Sequence, residues 1–160
     1  MSFSSILDRA PSEIERPKPL PIGTYLCAVN GLYEDVVSSQ KKTPGFKFKF
    51  SVLQAGEDVD QDKLNEWMQK KDGTSRTLAD ASLSTTYWDT PDAGSMLMDF
   101  LCDLGIMTRD AEGAYEYDGT GRAAMAETPG RQLLVFVKHR PSKDGQMFFA
   151  EVGSTAPVEE

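Results

Sequence analysis

Lys47 and Lys49 stand two residues apart in a run, Gly45 to Leu53, whose alternate places are filled by Phe46, Phe48, Phe50 and Val52. Lys41 and Lys42 precede them, and no acid occurs between Ser38 and Gln54. A second basic run, Gly130 to Phe149, carries Arg131, Lys138, Arg140 and Lys143 against Asp144 alone. Ammonium and guanidinium groups repeated along a strand face can follow a row of phosphates, releasing counterions as they do. Flat rings beside them can stack on bases of any kind, at ~1–3 kcal/mol per base. Tyr33, Tyr87, Trp88, Phe136 and Phe148 are the aromatic candidates. The expected phosphate holders are Lys47, Lys49, Lys138 and Arg140, with Lys41, Lys42 and Lys143 extending the track; Tyr33, Trp88 and Phe136 are the expected stacking rings.

Other chemistries find little support. His139 is the single histidine, and it has no Ser or Cys partner pattern for nucleophilic catalysis. Asp58, Asp60 and Asp62 alternate as in a calcium loop but lack its later glycine and terminal glutamate. Asp89, Asp92, Asp99 and Asp103 read as a solvated helix face. Gly119-Thr120-Gly121 is not followed by the lysine of a phosphate loop. Cys27, Cys102 and one histidine cannot complete a four-ligand zinc site without carboxylates, so both cysteines read as buried, reduced and structural. The expectation is a binding protein: no enzyme, no metal, no cofactor.

The net charge of −8 over 160 residues, taken alone, argues against a nucleic-acid partner. The distribution reverses that argument. Acids gather at Glu57–Asp62, Asp89–Asp103 and Asp110–Asp118, which leaves the two basic runs free to form one positive face. No apolar run approaches the ~20 residues of a membrane helix, and Met1 to Glu15 has no signal-peptide pattern. A cytoplasmic location follows as the expectation.

The elements that must position these residues read in order. Met1 to Pro21, with Pro17, Pro19 and Pro21, is an N-terminal arm. A first strand from Gly23 bends at Gly31 and continues to Ser38. Gly45 to Leu53 is the second, with its phenylalanines in the core and its lysines in water. Val59 to Lys71 is an inserted helix, pinned by Trp67. Arg76 to Trp88 is a strand or hairpin, and Met107 to Gly121 a loop. A helix opens at Thr90-Pro91, shows Met96, Leu97, Phe100, Leu101 and Leu104 on one face, and stops at Gly105. Arg131 to His139 and Met147 to Val152 form a hairpin about Asp144-Gly145. Residues 154–160 are a short acidic tail. Five strands with a helix between the third and fourth is the order of a mainly β, OB-fold-like barrel, here spanning 22–153 with a helix inserted between strands two and three.

Several short motifs strengthen this reading. Pro21-Ile22-Gly23-Thr24-Tyr25 opening the first strand resembles phage-encoded single-stranded DNA-binding proteins of the OB type. So do Lys42-Thr43-Pro44-Gly45 before an alternating strand, Leu104-Gly105-Ile106 ending a helix, Thr128-Pro129-Gly130-Arg131 entering a strand, and Glu151-Val152 closing one. The resemblance covers Pro19 to Val152. It implies sequence-independent coating of exposed single-stranded DNA in phage replication, recombination or repair in the host cytoplasm. It also implies replication or recombination proteins as partners through the acidic tail. Two features depart from it: the helix around Trp67, and a tail that ends without phenylalanine. The acidic balance keeps a second function class in view, a protein-binding OB module such as a phage accessory or virion component. The oligomeric state stays open, a homo-oligomer included.

Overall fold

The computed structural model of the chain describes residues 18–69, 75–81, 83–143, 145 and 148–158. Most of the expected N-terminal arm, the end of the acidic tail and Asp144 lie outside the described residues.

Alternation builds the sheet. In β3 (Pro44–Ala55), Phe46, Phe48, Phe50 and Val52 are buried while Lys47 and Lys49 point out. β1 (Gly23–Val29) and β2 (Glu34–Val37) pair antiparallel with one edge of β3; β4 (Leu83–Trp88) pairs with the other. β7 (Gln132–Pro141) pairs with β1, and β8 (Phe148–Ala156) with β7. Joined through the bend at Gly31 (φ +78°), β1 and β2 act as the single long strand expected, and the strand order is OB-like. The bend makes six strands in this sheet where five were expected. The barrel is also not closed: β4 and β8 approach each other, but no ladder joins them among the described residues.

A helix fills that gap. α2 (Pro91–Asp103) starts with Thr90 Oγ1 accepting the Ala93 N–H and with Pro91 in its first turn. Its Phe100 ring lies 4.8 Å from Phe48 and 5.0 Å from Tyr87, centroid to centroid. Leu97, Leu101 and Leu104 are buried with it, but Met96 is exposed, against expectation. Gly105 (φ +77°) ends the helix as expected, followed by Ile106 N–H donating to Leu101.

The inserted helix, α1 (Gln61–Met68), is shorter than expected. The Asp60 carboxylate accepts the Asp62 and Lys63 N–H groups at its start. Trp67 is 4% exposed and lies under the Arg76 guanidinium, a pinning role as expected. Leu78–Asp80 is a 3-10 turn, held where the Asp80 carboxylate accepts the Thr77 N–H, so the following strand starts only at Leu83. Within the expected loop lies a two-stranded ribbon, β5 (Thr108–Arg109) with β6 (Tyr115–Glu116), followed by the short helix α3 (Gly121–Met125). The strand expected to end at Val152 runs on to Ala156, where Leu134 pairs with it, so the first residues of the expected tail belong to the sheet. No helix of the described residues is long and apolar enough to cross a membrane.

Candidate nucleic-acid interface

Residues directly opposite in a ladder share a face. Gly45 lies opposite Trp88 on β4 and Val36 on β2; Lys47 lies opposite Thr86 and Glu34; Lys49 lies opposite Ser84. Trp88, Lys47 and Lys49 therefore occupy one outward surface across three paired strands. The benzo edge of Trp88 rests on Gly45, where a Cβ would come within 2.6 Å of the ring. The indole is 37% exposed. Lys49 Nζ donates to Glu34 at 2.8 Å, and the two lysines hold that carboxyl below the usual carboxylate range, Lys49 chiefly. Such an exposed ion pair is weak because water screens it, so a phosphate can replace the carboxylate at little cost. Lys47 is half-buried and forms no ion pair among the described residues.

The loop from Ser38 to Thr43 stands beside this surface. Its base is closed where Ser38 N–H donates to the Thr43 carbonyl at 2.9 Å and Thr43 N–H to Ser38 Oγ at 2.8 Å. Asp89 N–H donates to the Pro44 carbonyl, tying the end of β4 to the same place. Lys41 and Trp88 thereby line one open cleft of about 470 Å³, with Ser38, Gln40, Thr43 and Thr90. Lys42, exposed at the loop tip, has φ +55°.

The second basic run forms a separate cluster on the same outward side. Phe136, Lys138 and Arg140 alternate with buried Val135 and Val137. Phe136 and the Lys138 stem flank Gly153. Glu151 is shared: Lys138 Nζ lies 3.4 Å from one of its oxygens and Arg140 Nε 3.1 Å from the other. The Arg140 guanidinium lies over the Phe149 ring, 5.5 Å from its centroid. Lys143 is exposed near the turn.

These clusters do not merge. Lys49 sits level with Asn30, whose N–H it accepts, whereas Val137 pairs with Gly23, and Lys138 lies one place beyond. From Gly23 to Asn30 the strand path is roughly 23 Å at about 3.3 Å per residue. The single patch expected from sequence is thus two patches at opposite ends of β1.

Tyr33 belongs to neither. It packs against the core rings Phe46 and Phe48, centroids 5.6 and 5.8 Å away, and its hydroxyl accepts from Arg122. The bend at Gly31 turns it to the inner side, away from Lys47 and Lys49. Tyr87 is buried. His139 is half-buried and its Nε2 bonds the Leu20 carbonyl at 2.8 Å, pinning the segment that leads into β1. Phe148 is exposed beside the His139 ring. The alternating acids serve locally: Asp58 accepts from Thr24 N–H and Oγ1, which lowers its carboxyl, and Asp60 caps α1. Asp99 is held low by Arg109 and the Tyr115 hydroxyl. Cys27 is buried as expected, and burial pushes its thiol up to about 12; Cys102, on α2, is only half-buried, against expectation.

Phe149 and Gly45 were missed from sequence. Centring the hairpin on Asp144-Gly145 would have paired Arg140 with Phe149. Gly45 had no such signal, because its role is to make room for the ring of Trp88, which belongs to a different strand far along the sequence.

No protein-family model matches the chain, and no curated protein matches its sequence. Among solved structures, yeast RPA bound to ssDNA is similar over the whole of this chain and 88% of that one, at 7% identity and a TM-score of 0.33. A likeness at that level carries no argument about function.

Proposed function

We propose that this protein binds single-stranded DNA without sequence preference and catalyses no reaction. The observation that carries this reading is the shared outward surface of Trp88, Lys47 and Lys49. It joins a half-exposed indole to two ammonium groups spaced along a strand, beside a loop with two more. Phosphates would meet Lys47, Lys49, Lys41 and Lys42, a base would stack on Trp88, and Lys138, Arg140 and Phe136 would take the strand at its far end. A strand bound this way contributes its backbone charge and the flat faces of its bases, which every sequence offers. The short motifs shared with phage single-stranded DNA-binding proteins favour a place in phage replication, recombination or repair.

Titration with oligo-dT, followed by tryptophan fluorescence at low and high salt, tests the reading. Quenching at low salt that weakens steeply as salt rises is expected. Absence of binding at low salt defeats it.

A second reading, a protein-binding module, draws on different residues. Phe148 and Phe149 are exposed at the hairpin end, and Lys138 and Arg140 beside them are already engaged by Glu151. That reading expects a protein partner whose binding depends on the two rings and survives reversal of Lys47 and Lys49 to glutamate.

A further inference from the structure

The cleft beside Trp88 has more polar lining than stacking alone requires. Ser38, Gln40, Lys41, Thr43 and Thr90 line it together with Trp88, around a volume of about 470 Å³. The geometry points to this cleft as the seat of one nucleobase turned out of the strand, stacked on Trp88 and read along its edge by the loop. This deepens the proposed DNA-binding reading and rests on it.

Three observations carry it. First, the cleft is already formed. The double contact between Ser38 and Thr43 closes the loop, and Gly45 lets Trp88 lie against the sheet. Second, the loop holds Lys42 at φ +55°, the one non-glycine residue with positive φ among the described residues. A side chain kept in that region is strained, and such strain gathers at ligand sites. Third, the lining is rich in donors. Ser38 Oγ and Thr90 Oγ1 each accept a backbone N–H, from Thr43 and Ala93, which leaves their own protons to donate. Lys41 adds an ammonium. Donors of this kind suit the exocyclic carbonyl oxygens of thymine, uracil or guanine; adenine carries an amino donor in that place and accepts only at its ring nitrogens. A keto base is therefore favoured over adenine at this one position by roughly fivefold, the effect of one net hydrogen bond. Elsewhere the strand is held without regard to sequence.

The test uses the two indole N–H signals of the full chain in nitrogen-15 spectra. Trp67 is buried, and Trp88→Phe identifies the other signal by its loss. Thymidine monophosphate, deoxyadenosine monophosphate and inorganic phosphate are titrated separately, then oligo-dT. Thymidine monophosphate is expected to move the Trp88 indole and the amides of 38–43, with deoxyadenosine monophosphate roughly fivefold weaker. Phosphate alone is expected to leave the indole unmoved. In Gly45→Ala, which displaces the ring, mononucleotide binding is expected to fall while the fold persists. If oligo-dT binds but thymidine monophosphate moves neither indole nor loop, the base seat is overturned and strand binding stands. If neither binds, both readings fall. Equal binding of the two mononucleotides, or equal shifts with phosphate alone, overturns the recognition of the base edge.

Discussion

The two basic clusters are built on different supports. Around Gly45–Lys47, β3 has a partner on each side, so Lys47 projects from the middle of a sheet, with Trp88 at the end of the adjoining strand β4 and resting on Gly45. Beyond Val137, β7 has left β1 behind and keeps only β8, so Lys138 and Arg140 stand on a two-stranded ribbon. An isolated hairpin is marginally stable in water. The charges differ as well. Lys47 is unpaired among the described residues, while one carboxylate, Glu151, already answers two cations on the ribbon. Fixed side chains lose less freedom on binding. The sheet cluster is therefore the anchor of the proposed interface, and the ribbon an accessory arm.

Charge reversal sharpens this contrast most. Lys47→Glu with Lys49→Glu is expected to weaken oligo-dT binding roughly a hundredfold at low salt. The salt slope should fall by ~0.7 for each phosphate that is no longer neutralised. The same reversal at Lys138 and Arg140 is expected to cost less, and the opposite ranking would break the comparison. Next in size is Trp88→Ala, expected to cost ~1–3 kcal/mol, with Phe149→Ala costing less; direct binding curves of the two variants decide it. Smaller effects come from the carboxylates. Glu34→Gln and Glu151→Gln remove competitors for the phosphates, and each is expected to raise affinity about twofold to fivefold. Glu151→Gln should act on the ribbon alone, so combining it with Lys138→Glu and Arg140→Glu should abolish its gain.

The smallest effect is on stability and acts through pH. The carboxyls of Glu34, Asp58 and Asp99 are all lowered in the fold, by Lys49, by Thr24 and by Arg109 with Tyr115 respectively. A lowered folded value means that the unfolded chain binds protons first. The stabilisation is present above the ordinary carboxyl range, about pH 4, and is lost as pH falls through the folded values. Thermal midpoints from pH 6 to pH 3 should drop, and Asp58→Asn should flatten part of that drop. Asp58 joins Thr24 at the start of β1, far from Lys49 but opposite Phe136, so this variant should change DNA affinity no more than the substitutions on the ribbon do.

Much of the platform was legible because it rests on short-range pattern. The alternation of Phe46, Phe48 and Phe50 with Lys47 and Lys49 fixed which side each faces, and Thr90-Pro91 with Gly105 marked the ends of α2. What stayed hidden depended on distance or on a change of phase. The positive φ at Gly31 resets the alternation, so Tyr33 turns inward although its type suits stacking. The Thr77–Asp80 hydrogen bond converts expected strand into a 3-10 turn. The separation of Lys49 from Lys138 is a matter of register along β1, which neither basic run encodes. The helix beside β4 and β8 docks through Phe100 on Phe48 and Tyr87, and the spacing of that residue shows burial but not its neighbours.

Which cluster touches the DNA is tested most directly by photocross-linking the full chain to oligo-dT carrying 5-iododeoxyuridine, with the adduct located by mass spectrometry. The account expects adducts concentrated at Trp88 and a minority at Phe136 or Phe149. Adducts confined to the ribbon rings, with none at Trp88, would contradict it.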